Sequence, residues 1–234
     1  MESSVNVPDY CISEVAEHTM ALLLAWWRRI GELDHQVRSA GWGLPIKPVH
    51  RLEGKTMGIL GLGRIGQAVA VRARSFGLRL VGFDPYVPKD VFAALGVESV
   101  RLEDLLRASD IVTIHSLLTA ETRGIFCERS LRVMKPSAVV VNTGHGAVVT
   151  TDDLVRALRE GWIAGAALDV LETEPLPIDH PIRSLPRVLL TPHTAWYSEE
   201  SERELRRRSG QVVVQALRGV RPPSLLNPEV LARS

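Results

Sequence analysis

The sequence predicts an α/β fold, a doubly wound parallel sheet with helices on both faces. Three observations carry the prediction. Short apolar runs of β type alternate with helical patterns at the spacing of strand–helix–strand units. The first run, TMGILG (56–61), is apolar at consecutive positions, as a strand covered on both faces requires. A Gly-x-Gly-x-x-Gly turn then joins that run to the next helical stretch.

The elements follow in chain order. Ser13 can cap a helix running to about Arg29, with Ala16, Met20, Leu23, Leu24 and Trp27 on one face. A Gly/Pro-rich linker, AGWGLPIKPVH (40–50), comes next. After the TMGILG strand, Ile65 to Phe76 reads as a helix and LRLVGFD (78–84) as a second strand. DIVTIH (110–115), SAVVVN (137–142), IAGAALD (163–169) and RVLLT (187–191) supply four more. Between two of them, TTDDLVRALREG has a helix start at Thr150 and Asp153 and a stop at Gly161. Ser198 to Leu217 reads as one long helix. Its Glu199–Arg203, Glu202–Arg206 and Glu204–Arg208 pairs are spaced i,i+4, which makes a solvated face of the arginine cluster rather than a basic patch.

With 234 residues and 45% hydrophobic content, the chain can bury a substantial core. A formal net charge of +1 recommends neither nucleic acid nor a membrane surface as partner. Cys11 and Cys127 lie far apart without metal-ligand spacing, so they read as reduced thiols of a cytoplasmic protein, and no metal site is expected. MALLLAWW (20–27) is far short of the roughly 20 residues a membrane span needs. The first residues show no basic region followed by a small-residue cleavage site, so no signal peptide is expected.

GILGLGRIGQAVA contains Gly61, Gly63 and Gly66 in Rossmann spacing, after a strand and before a helix, and Asp84 ends the next strand 18 residues on. Gly61 permits a tight turn, Gly63 lets backbone approach a diphosphate, and Gly66 lets helix and strand pack closely. The amides of Arg64 and Ile65 then point at the phosphates from a helix N-terminus. Asp84 would accept hydrogen bonds from the adenosine ribose and repel a 2′-phosphate, which favours NAD over NADP.

Three further stretches follow in order: VVVNTGHG (139–146), GAALDVLETEP (165–175) and LLTPHTAW (189–196). With VPDYCISEVAEHTMALLL (7–24), they make the chain resemble the D-isomer-specific 2-hydroxyacid dehydrogenases over nearly its whole length. FDPY and PHTAWYSEES most resemble the branch containing the C-terminal-binding-protein corepressors. The resemblance makes His193 the general acid/base and Glu174 its carboxylate partner. The family arginine that holds the substrate's carboxylate and carbonyl oxygen is replaced by His145. Asp169 is expected to orient the nicotinamide end, with Thr143 and Gly144 close to the cofactor. His115, Ser116, Leu117, Thr119 and Thr122 of HSLLTAET line the adenine and phosphate side, His115 more by packing than by chemistry. Thr19, Trp196 and His193 itself complete the expected cofactor-binding set.

Reduction of a 2-keto acid needs a hydride at the carbonyl carbon and a proton at its oxygen; the cofactor supplies the hydride. Histidine suits the proton, and a neighbouring carboxylate favours the imidazolium. His145 is the departure. Arginine grips a carboxylate by two parallel charge-assisted bonds, whereas a neutral histidine offers one donor. Either His145 serves an altered substrate, or ordinary 2-hydroxyacid chemistry is lost. Thr150 replaces a family aspartate but is expected to cap the following helix equally well.

The resemblance divides the chain into a remnant of substrate lobe and hinge (1–12), a dinucleotide-binding domain (13–197), and a returning C-terminal helix and tail (198–234). Family members begin with a separate substrate lobe, and this chain opens almost where that lobe ends. Half of one pocket wall is therefore expected to be missing, and the 198–217 helix to lack its usual partner. Helix 13–29 and the linker belong to the dimer contact in relatives, so a homodimer is expected. Trp26, Trp27 and Trp42 serve there as interface anchors or, equally well, as core residues. Two functions fit. One is an NAD-dependent oxidoreductase acting on a small 2-hydroxy or 2-keto acid. The other is a non-catalytic NAD(H)-binding dimer of corepressor or scaffold type.

Overall fold

The computed structural model describes residues 5–44, 48–221 and 225–226. Part of the linker (45–47), of the hinge remnant (1–4) and of the tail (222–224 and 227–234) therefore lies outside the described residues. Residues 15–195 form one compact unit, and 1–14 with 196–234 form another.

In the larger unit, β1 (Thr56–Leu60), β2 (Arg79–Phe83), β3 (Val97–Ser99), β4 (Ile111–Ile114), β5 (Val139–Asn142), β6 (Gly165–Leu168) and β7 (Val188–Leu190) make one sheet. All pairings are parallel, in the order β3-β2-β1-β4-β5-β6-β7. The order reverses between β1 and β4, so the loops leaving their carboxyl ends diverge and open a crevice. Alternate side chains enter two apolar layers. Met57, Ile59, Ile111, Val139 and Val141 face one; Leu60, Val112, Ile114, Val140 and Leu168 face the other. Burial on both faces is why these strands read as unbroken apolar runs.

The first layer is closed by residues 15–27 of α1 (Ile12–Trp27), with α3 (Arg64–Arg74) and α4 (Lys89–Leu95). The second is closed by α5 (Leu102–Ala108), α6 (Glu128–Val133) and α7 (Thr151–Glu160). Three sequence expectations need correction here. The first helix ends at Trp27, because Arg29 adopts φ +57 and hands the chain to α2 (Ile30–Arg38), which the sequence reading did not separate. Ile30, Leu33 and Val37 of α2 recur at helical spacing, but Ile30 and Val37 stay more than half exposed, at 54% and 51%. Ser13 lies inside α1, one residue past its first residue Ile12, rather than at the N-cap position. Thr150 occupies the N-cap position of α7, yet its hydroxyl makes no cap bond. The Thr151 N–H, the first of the helix, donates to Glu172 Oε2 (3.1 Å), and Asp153 accepts from the Glu128 N–H (2.9 Å).

Trp26 and Trp27 are buried within the chain, and their indoles donate to the carbonyls of Arg187 (2.7 Å) and His50 (2.9 Å). Gly165 makes room for this: a Cβ there would stand 2.4 Å from the Trp26 ring. Trp42, in contrast, is 90% exposed. Cys11 and Cys127 are both free thiols.

The second unit holds α8 (Glu199–Leu217), opened by a reciprocal capping box between Ser198 and Ser201. The three glutamate–arginine pairs read from the sequence are formed. Val213, Val214 and Leu217 of this helix are exposed. Among the described residues, no helix is long and apolar enough to cross a membrane.

Candidate active site

The carboxyl ends of β2, β1, β4, β5, β6 and β7 stand side by side in that order. They carry, respectively, Asp84, the glycine turn, His115–Ser116, Thr143–His145, Asp169–Glu174 and His193. Sheet order thus lines up residues that the sequence scatters over 61–193.

The glycines divide by their surroundings. Gly61 leaves β1 at φ +87, and a Cβ on it would lie 2.6 Å from the Ser116 nitrogen. A Cβ on Gly66 would lie 2.2 Å from the Gly61 carbonyl oxygen. Around Gly63 a Cβ would meet nothing within 4 Å. No contact within the described chain requires glycine there; an approaching diphosphate would. Gly63 precedes α3, so the Arg64 and Ile65 amides belong to the first turn, where the helix dipole favours an anion. Asp84 is held beside this turn, Oδ2 accepting from the Leu62 N–H and Oδ1 from the Tyr86 N–H, each at 2.9 Å. Each oxygen retains a lone pair for a ribose hydroxyl.

Across the crevice, His115 Nε2 pairs with Thr113 Oγ1 at 2.8 Å, and burial pushes its imidazole down to about 3. The imidazole is therefore neutral at pH 7. Its Nδ1 and the Ser116 hydroxyl are buried without a hydrogen-bond partner among the described residues. Two orphaned polar atoms beside an open glycine face fit a bound dinucleotide. Thr122 closes the loop after β4, its hydroxyl donating to the Leu117 carbonyl (2.6 Å) and accepting from the Thr119 N–H (2.8 Å).

At the other end, His193 Nδ1 meets Glu174 Oε2 at 2.6 Å. Glu174 Oε1 accepts from the Leu171 N–H (2.8 Å), which aims the carboxylate. His193 sits at φ +56, a conformation costly for a non-glycine residue and found where surrounding contacts over-determine it. Asp169 supplies those contacts. Its carbonyl accepts from the His193 N–H (2.8 Å), and its buried carboxylate accepts from Thr191 Oγ1 (2.5 Å) and the N–H groups of Thr194 (3.0 Å) and Ala195 (2.8 Å). The side chain of Asp169 therefore anchors the loop that carries the histidine.

His145 stands between two glycines for a steric reason. A Cβ on Gly144 would lie 2.9 Å from the Ile114 carbonyl oxygen, and one on Gly146 only 1.8 Å from that of Leu171. The loop is wedged between the ends of β4 and β6. Asn142 shapes it, accepting from the Gly144 N–H and donating to the His145 carbonyl, each at 3.1 Å. Partial burial, and then the charge of His193 nearby, hold the His145 imidazole below its ordinary value. His145 is neutral at pH 7.

Thr143 is tied to Thr19 of α1, hydroxyl to hydroxyl, at 2.7 Å. Thr19 spends its own proton on the Val15 carbonyl (2.7 Å), so Thr143 donates. Trp196 lies in the second unit, its ring against Tyr10 and Tyr197. A cavity of about 630 Å³ is lined by Asp169, Glu174, Leu176, Arg183 and His193. Two of its supports were missed from the sequence. Arg183 donates to the carbonyls of Leu176 (2.7 Å) and Pro177 (2.8 Å) and so braces the Glu174 loop. His18 Nε2 approaches Thr191 Oγ1 (3.0 Å) and Asp169 Oδ1 (3.5 Å). Nothing local marks Arg183; His18 adjoins Thr19 in a stretch already singled out.

The model of the D-isomer-specific 2-hydroxyacid dehydrogenase family, NAD-binding domain, matches residues 20–195. The chain belongs to this family. A glyoxylate reductase of Aeropyrum pernix is 44% identical over 233 residues, 97% of this chain and 70% of that protein. A D-3-phosphoglycerate dehydrogenase of Methanocaldococcus jannaschii is 38% identical over 95% of this chain and 43% of its own length. The apo-structure of D-lactate dehydrogenase from Escherichia coli superposes with a TM-score of 0.88 at 31% identity, covering 96% of this chain and 71% of that one. The expected fold, the NAD cofactor and the expected class of activity are those of the family: this is an NAD-dependent oxidoreductase of the 2-hydroxyacid dehydrogenase type.

Proposed function

We propose that this dehydrogenase reduces a small 2-keto acid of the glyoxylate or hydroxypyruvate kind, with His193 as proton donor. The observation that carries the reading is the 2.6 Å contact between His193 and Glu174 on the wall of one cavity. With Nδ1 committed to Glu174, proton exchange with substrate falls to Nε2. The Arg64 and Ile65 amides would hold the cofactor diphosphate, Asp84 the ribose, and Thr143 and Gly144 the segment nearer the nicotinamide. Bound NADH supplies the hydride. His145 contributes one hydrogen bond to the substrate carboxylate in place of an arginine fork.

The non-catalytic alternative is not favoured, because a scaffold has no need of a histidine strained toward a buttressed carboxylate. The exposed apolar side chains of Ile30, Val37, Trp42 and Leu44 support a homodimer formed through this segment. We infer a cytoplasmic setting from the two free thiols.

NADH fluorescence titration should saturate in roughly the micromolar range. Glyoxylate should then be reduced with stoichiometric loss of NADH absorbance. A folded sample that binds NADH yet turns over neither glyoxylate nor hydroxypyruvate would refute the substrate assignment.

A further inference from the structure

At the amino end of β7, away from the catalytic edge, two arginines share the walls of two adjoining cavities. Arg29, between α1 and α2, and Arg187, just before β7, line a cavity of about 470 Å³ whose other walls include Trp26, Pro186 and Leu189. They also line one of about 320 Å³ that reaches His50. Arg29 is the unusual member. Its side chain is only 9% exposed, and its Nη2 pairs with Glu32. Its Nε and Nη1 are buried and meet no acceptor among the described residues. Arg187 lies over the Trp26 ring, 3.8 Å from the centroid, while its carbonyl accepts from the Trp26 indole. Burial and the charge of Arg29 both push the Arg187 guanidinium down from its ordinary value.

A buried cation with unsatisfied donors is strongly unfavourable unless an anion meets it. Glu32 alone faces two cations, and its side chain is half exposed, at 52%. The cavity otherwise presents apolar surface, and its volume is that of a small-molecule site. We propose that this is a second ligand site, for a small carboxylate with an apolar body. The carboxylate meets Arg29 and Arg187, and the body lies against Trp26, Pro186 and Leu189. Strand β7 runs from Arg187 toward the His193 loop, so the two sites open at opposite ends of the sheet. The site goes beyond the dehydrogenase reading and does not depend on it.

Benzoate, acetate and benzyl alcohol are the ligands for the test. The thermal midpoint is followed with and without saturating NADH, against sodium chloride at matched ionic strength. Benzoate should raise the midpoint saturably, acetate less, and uncharged benzyl alcohol not at all. Arg29→Met keeps volume and removes the donors; it should weaken benzoate roughly tenfold or more, the loss of a charge-assisted bond, with NADH affinity unchanged. Arg187→Asn, which tolerates the left-handed backbone at φ +62, should do the same and serves if Arg29→Met fails to fold. A midpoint that moves no further with benzoate than with chloride overturns the proposal. So does an equal shift in wild type and Arg187→Asn, which would mean benzoate binds elsewhere, as at His193.

Discussion

The glycine turn after β1 and the His193 loop after β7 occupy one edge of one sheet, yet they are assembled by opposite means. The turn uses backbone: six consecutive residues, 61–66, place amides at a helix start, with the neighbouring strand adding only Asp84. The histidine loop joins separate segments: Glu174 of 169–174 meets His193, and the buried carboxylate of Asp169 locks that segment to 191–195. Recognition of a diphosphate needs a row of N–H groups, which contiguous chain supplies. Proton transfer needs an imidazole, a partner and an anchor at fixed separations, which contiguous chain cannot supply.

The sharpest way to separate the two regions is His193→Ala. It should reduce turnover by about 10²–10⁴ with a far smaller effect on NADH affinity, since general acid catalysis is lost and the turn is untouched. Equal loss of NADH binding would mean that the regions are not independent. Within the turn, Gly63→Ala and Gly66→Ala should part company. The first meets open space, so it should weaken NADH roughly tenfold at an unchanged thermal midpoint, by crowding the diphosphate. The second drives a methyl into the Gly61 carbonyl and should lower the midpoint with or without NADH. A Gly63→Ala protein that binds NADH normally would remove the diphosphate from this turn.

The smallest effect belongs to His145. Its imidazole is held below its ordinary value and is therefore neutral at pH 7. Charge appears only as pH falls through that lowered value, so KM for an anionic keto acid should fall as the solution is acidified. His145→Arg carries its charge throughout; it should lower KM at pH 7 by roughly threefold and abolish that limb of the pH profile. If it instead abolishes a native activity, His145 is matched to a substrate that arginine cannot serve.

The sequence showed six of the seven strands because both faces of the central sheet are buried and the apolar runs are unbroken. It hid β3, whose residues Val97–Ser99 form a short edge with only Val97 buried. The four unread helices are short, from six to nine residues, too few for a helical period to stand out. In the site, His193, Glu174 and Asp84 were legible from motif order. Arg183 was not, because it acts through two carbonyls on a neighbouring loop. The expected Thr150 cap is absent, and the first N–H of the helix is met by a carboxylate distant in sequence, Glu172.

Taken alone, the amino-acid order determined the alternation of strands and helices, the helix stop at left-handed Gly161 and the diphosphate turn. Each of these depends on residues within a few positions of one another. Only the tertiary structure decided that Glu174 meets His193, that His145 stays uncharged beside it, and that Arg29 is buried near Arg187. Those outcomes depend on which strand ends lie side by side, and hence on distances and desolvation that the folded sheet alone establishes.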